Sequence, residues 1–84
     1  MKNMYHVYVL RSKKHGKLYT GYTHKQPEER LAEHNSGSSP WTKSNGPFVL
    51  IYSEIFRSKG KAITRERCLK SGAGRKFLNT IIPR

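Results

Sequence analysis

Acidic residues are scarce in this chain of 84. It has no aspartate, and its five acids are Glu28, Glu29, Glu33, Glu54 and Glu66, against 17 lysines and arginines. Cysteine is scarcer still: the single Cys68 excludes an intramolecular disulfide and a cysteine-rich zinc site. Long apolar runs are missing too, the longest being Phe48–Tyr52, far short of the roughly 20 residues that span a bilayer. Met1–Tyr8 lacks the apolar centre of a signal peptide, so a soluble, cytoplasmic protein with no membrane partner is expected. No repeat, low-complexity tract or linker divides the sequence. A chain this short buries only roughly 60–65 % of its unfolded surface. It reads as one domain over residues 1–84 with a modest core, which excludes a multidomain enzyme and a large enclosed cofactor pocket.

What is abundant is positive charge. The formal net charge of +12 points to a polyanion, nucleic acid first, bound by phosphate neutralisation and counterion release. The competing reading is a solvated basic surface with no dedicated partner. A membrane surface fits less well, because no long amphipathic helix joins the charge to a broad apolar face. Charge alone does not say what is done to the nucleic acid.

Tyr5–Ser12 (YHVYVLRS) is rich in aromatic and β-branched residues and reads as a strand. Lys13–Gly16 is a turn, and Lys17–Thr23 is a second strand closing a hairpin. Pro27 suits the first position of a helix that has Glu28 and Glu29 in its first turn, runs to about Asn35 and is ended by Gly37. Ser36–Pro47 reads as a polar loop. Phe48–Phe56 begins apolar on both alternating faces, as a strand covered on both sides would. Ser58 caps a helix over Lys59–Lys70, Ser71 and Gly72 stop it, and Gly74–Ile82 forms a last short helix. The order β-β-α-β-α-α predicts a small α+β fold: a three-stranded, largely antiparallel sheet flanked by helices.

Three constellations stand out. A four-residue hairpin loop sets Tyr8 opposite Gly21 and Leu10 opposite Tyr19, so Tyr8 and Tyr19 share a sheet face roughly 7–8 Å apart. A one-residue change of loop length would separate them. Paired tyrosines can be packing, but Gly21 leaves space directly across from Tyr8. Arg30 and His34 lie one helical turn apart, either as an exposed basic face or as a pair that binds a phosphodiester and moves a proton beside it. Glu66 falls within the apolar stripe of Ala62, Ile63 and Leu69. A carboxylate turned inward must be ion-paired or bind a metal. His6, His15 and His24 have no metal-ligand spacing.

In this order the pieces resemble a GIY-YIG domain, most closely the small stand-alone members related to the excision-nuclease N-terminal module. His6-Val7-Tyr8 matches the first motif, with His6 in place of the usual glycine, and Tyr19-Thr20-Gly21 matches the second. Arg30 and His34 match the helix motif, and Ala62–Lys70 resembles a late helix that places the family's metal-binding glutamate at Glu66. Asn79 stands where a late site asparagine is sought. The likeness extends over nearly the whole chain. No one motif is specific; the ordered set is.

The resemblance implies endonuclease-type, metal-dependent hydrolysis of a phosphodiester, in DNA processing or repair and on DNA rather than RNA. It implies Glu66 holding one Mg²⁺ or Mn²⁺, Arg30 clamping a phosphate oxygen, and Tyr8 taking a proton from water directly or through His34. Tyr19 would position Tyr8 or the water. Lys17, Trp41, Thr42, Lys43, Arg65 and Lys70 are the expected nucleic-acid contacts, with Trp41 either a packed loop anchor or a platform for a base. The alternative is the same fold kept as a basic nucleic-acid-binding module with little or no cleavage.

Overall fold

The structure is a computed structural model and describes residues 4–37 and 40–81, the Trp41 side chain excepted. Strands β1 (Tyr5–Ser12) and β2 (Leu18–Thr23) form the hairpin, followed by α1 (Pro27–Asn35), α2 (Pro40–Asn45), β3 (Phe48–Phe56), α3 (Lys59–Lys70) and α4 (Gly72–Ile81). The expected α+β class, with an antiparallel three-stranded sheet, is what the chain adopts. The sheet order is β2-β1-β3, and both strand pairs are antiparallel.

The hairpin turn is built by Ser12. Its Oγ accepts from the Lys14 and His15 backbone N–H groups at 3.1 and 3.3 Å and donates to the Asn45 carbonyl at 2.6 Å. Gly16 closes the turn at φ +77°, in the left-handed region that a Cβ disfavours. The register is the one the loop length predicts: Tyr8 faces Gly21 and Leu10 faces Tyr19.

The strand covered on both faces is β1, not β3. Val7 and Val9 pack with Ala62, Leu69 and Leu78 of α3 and α4, while Tyr8 and Leu10 pack with Phe48, Tyr19 and Leu31 on the α1 face. β3 is an edge strand. Its first residue, Phe48, is buried, but Ser53 and Ile55 are exposed. Ile51 is an extra residue in its register, because Val9 pairs with Tyr52 and Leu10 with Leu50.

The Ser36–Pro47 segment also departs from expectation, since Pro40–Asn45 makes a short helix rather than a loop. The last helix begins at Gly72, directly after the Ser71 cap of α3. Ser58 caps α3 as expected, accepting from the Lys61 N–H at 3.3 Å.

Candidate active site

The centre of the site is the Tyr8 phenol on β1. It is 5 % exposed and lies over Gly21: a Cβ built on Gly21 would stand 2.5 Å from Oη and 2.7 Å from Cζ. The space opposite Tyr8 is therefore filled by the tyrosine's own ring, which fixes where its hydroxyl points. Tyr8 Oη is 3.4 Å from His34 Nε2, and the rings are 6.1 Å apart at 54°. With the imidazole proton on Nδ1, Nε2 accepts from the phenol; in the other tautomer it donates.

α1 supplies both cationic partners. A hydrogen bond with Tyr8 is the main cause that raises the Arg30 guanidinium above its ordinary range, with burial opposing and Glu33 assisting. Burial and then the nearby Arg30 charge push the His34 imidazole down, against a smaller opposing effect of Glu33. His34 is accordingly neutral at neutral pH, with a ring nitrogen free to accept a proton. Asn35 fixes the end of this helix: its amide donates to the Phe48 carbonyl at 3.0 Å and accepts the Phe48 N–H at 2.7 Å. Phe48 in turn meets His34 and Tyr19 edge-on at 5.8 and 5.4 Å.

Tyr19 shares the face of Tyr8, but its hydroxyl turns toward the hairpin loop. It is 3.2 Å from His15 Nε2 and donates to Asn45 Oδ1 at 3.4 Å, and His15 Nε2 is 3.1 Å from the same amide oxygen. Sequence reasoning set His15 aside and passed over Asn35 and Asn45. For His15 a signal existed, four residues before Tyr19 across the turn. For the two asparagines there was none, because their partners lie 13 to 33 residues away.

Tyr8, Tyr19 and His34 open into a groove of about 890 Å³ whose far wall carries Lys70, Arg75 and Asn79, with Lys17 at its rim. Asn79, the candidate late asparagine, is part of that wall. Arg30 joins through Tyr8. Glu66 lies on α3, on the face of the sheet opposite the tyrosines, one turn before Lys70. Tyr8, Tyr19, Arg30 and His34 thus gather around the α1 face, and Glu66 stands apart from them on α3. Its side chain is 16 % exposed, and Lys70 Nζ stands 3.7 Å from Oε1.

This is a loosely paired, half-sheltered oxygen donor. Among the described residues no group of three or more His, Cys, Asp or Glu is placed to hold a metal. A lone carboxylate is not a zinc-type cage, and a hard ion held by it would have to keep most of its waters.

Three expected nucleic-acid contacts are corrected or left aside. Arg65 is committed to Glu54 on β3, the far edge of the sheet from the groove. Nε and Nη2 each donate to the carboxylate at 2.9 Å, and the guanidinium lies 5.1 Å from the Phe77 ring centroid. Glu54 raises the Arg65 pKa. Thr42 is 5 % exposed, so its side chain does not face a surface strand. The Trp41 side chain lies outside the described residues. Lys43 is exposed on α2, and Lys17 and Lys70 line the groove.

Comparison with known proteins identifies the family. The GIY-YIG catalytic domain matches residues 4–79. A UPF0213 protein of Staphylococcus haemolyticus is 40 % identical over 78 residues, 92 % of this chain and 93 % of the relative. A UPF0213 protein of Halobacterium salinarum is 41 % identical over 68 residues, 80 % of this chain and 86 % of that one. The solution NMR structure of a UPF0213 protein from Bacillus halodurans superposes with a TM-score of 0.55 at 33 % identity, covering 93 % of this chain and 84 % of the other. With a family match over most of its length and relatives this similar, the chain belongs to the GIY-YIG family.

Proposed function

We propose that the protein is an endonuclease-type phosphodiesterase acting on nucleic acid, DNA rather than RNA, with Tyr8, Arg30 and His34 as its reacting groups. The observation that carries this reading is the Tyr8 hydroxyl 3.4 Å from a neutral imidazole and near the Arg30 charge, in a groove lined also by Lys17, Lys70 and Arg75. Arg30 binds a non-bridging phosphate oxygen and opposes the charge that builds there. Tyr8 takes a proton from the attacking water as its own passes to His34 Nε2, so water becomes the nucleophile and the imidazole ends protonated. Tyr19, held by His15 and Asn45, lines the water's side of the groove. Glu66 would hold a single Mg²⁺ or Mn²⁺, which would supply charge neutralisation at a phosphate and stabilisation of a leaving oxygen. DNA processing or repair is the setting that such an activity fits.

The test is Glu66→Gln, assayed on flaps, forks and single strands with Mg²⁺ or Mn²⁺. Cleavage falls by orders of magnitude, and binding without metal is unchanged or slightly tighter because a negative charge is gone. Lost pairing with the half-exposed Lys70 costs about 0–1 kcal/mol, so the melting temperature falls by no more than about 8 °C. A variant that cuts as well per folded molecule as the parent overturns the Glu66 assignment. A parent chain that binds every substrate tightly and cuts none is a binding module.

A further inference from the structure

The groove beside Tyr19 occupies one end of β2. A second groove, of about 480 Å³, opens at the other end and is lined by Tyr5, Tyr22, His24, Lys25, Arg30 and Lys59. Arg30 stands beside both: it lines the second groove, and Tyr8, which lines the first, is the main influence on its guanidinium. β2 is an edge strand, so no further strand covers the line between them.

The walls run continuously from one groove to the other. α1 presents Arg30 to the second groove and His34 to the first; α3 begins with Lys59 in the second and ends with Lys70 in the first. Lys59, Ile63, Glu66 and Lys70 follow one helical stripe by their spacing, which puts a lysine at each end and Glu66 between them. The eleven steps from Lys59 to Lys70 rise roughly 16 Å. At about 3.4 Å of axial rise per phosphate in one strand of a duplex, that is room for about five phosphates. On β2 itself, Leu18–Thr20 line the first groove and Tyr22 and Thr23 the second, leaving Gly21, under the Tyr8 ring, between them.

We infer that the second groove is a nucleotide subsite, which binds the same polyanionic strand on the other side of the reacting phosphate, with the strand lying along the free edge of β2. This rests on the phosphodiesterase reading above. Lys59 is exposed in a first helical turn that contains no acid, and it takes a phosphate oxygen. Tyr5 and Tyr22 are half-buried against the core, so their rings are rigid surfaces for a base. Lys25 is held by Glu33 at 2.8 Å, and Glu33 also faces Arg30 at 3.6 Å. Lys25 therefore orients the Arg30 side of the groove rather than gripping phosphate.

Lys59→Gln and Lys61→Gln remove the same charge from the same helical turn. Lys61 stands about 200° round the helix from Lys59, beside Phe56 and Cys68 and outside both grooves. The probe is a fluorescein-labelled 12-nucleotide single-stranded DNA, followed by anisotropy in EDTA across a salt series. Lys59→Gln is expected to lose about fivefold in affinity at 0.1 M salt and to flatten the slope of log K against log salt by about 0.7. Lys61→Gln changes either quantity much less. Amide NMR shifts of Tyr22, Thr23 and Lys59 move with those of Lys17 and Lys70 on adding the same DNA. Equal effects of the two variants, or shifts confined to the first groove, overturn the subsite and leave the phosphodiesterase reading standing. A parent chain that does not bind the DNA overturns that reading itself.

Discussion

The His34 imidazole carries a pH dependence whose direction follows from its surroundings. Burial, and then the Arg30 charge, place its folded pKa below the usual 6.5. On acidification the unfolded chain therefore takes up this proton first. The contribution of His34 to stability is full above about pH 6.5, declines as pH falls below it, and levels off once pH is below the folded pKa. His34→Gln keeps a polar side chain there without the titration. Urea midpoints of parent and variant from pH 7.5 to pH 5 should show the parent losing ground steadily against the variant as pH falls. A difference that is flat or grows on acidification refutes the neutral-imidazole assignment. Cleavage follows the same direction, because a protonated His34 cannot accept from Tyr8. At this scale the sequence indicates that Arg30 and His34 share a helix face, while the closeness of Tyr8 to both depends on Gly21 across the hairpin.

α4 meets α3 through a glycine. A Cβ on Gly74 would strike the last turn of α3 at backbone atoms, with the Leu69 carbonyl carbon at 2.7 Å, so α4 must pivot to admit it. Overpacking of this kind costs about 1–3 kcal/mol, against about 1 kcal/mol that alanine gains in a helix. The net loss of up to about 2 kcal/mol lowers Tm by up to roughly 16 °C in a chain of this size. Gly72→Ala, two residues earlier, meets nothing within 4 Å and leaves Tm unchanged or higher. Equal melting of the two variants would show that the α3–α4 contact is not tight. Arg75 and Asn79 ride on α4, so the Gly74 variant also moves the groove wall, whereas the Gly72 variant does not. On the same face of the sheet, at its β3 edge, Tyr52 donates to Glu54, which accepts from Arg65. That pair ties the β3 edge to α3 and withdraws one arginine from the basic surface.

For the molecule as a whole, charge is the dominant long-range term. A net +12 on a body 34 × 30 × 19 Å attracts polyanions from any direction, and the two grooves at β2 give that attraction a track. With about 4–6 phosphates neutralised, log K falls with log salt at a slope of about −3 to −5. Fluorescence anisotropy across a salt series measures it, and a slope near zero would remove nucleic acid as the partner.

The amino-acid sequence by itself determined what depends on near neighbours along the chain. Period-2 and helical patterning, Ser58 and Pro27 at helix starts, Gly16 and Gly37 at turns, and a four-residue hairpin loop placed the strands and the three longer helices. They also brought Tyr8 and Tyr19 to one face. Side-chain periodicity and turn chemistry are local, so they can be read in order. Only the tertiary structure decided which strand is central, because Val7 and Val9 find their cover in α3 and α4, more than 50 residues on. It decided that Asn35 holds Phe48 and Asn45 holds Tyr19, that Arg65 is spent on Glu54, and that Glu66 stands beside Lys70. Each of these is a choice among several chemically equivalent partners, and a charge or an amide carries no mark of its partner until the sheet and helices have packed and left one within reach.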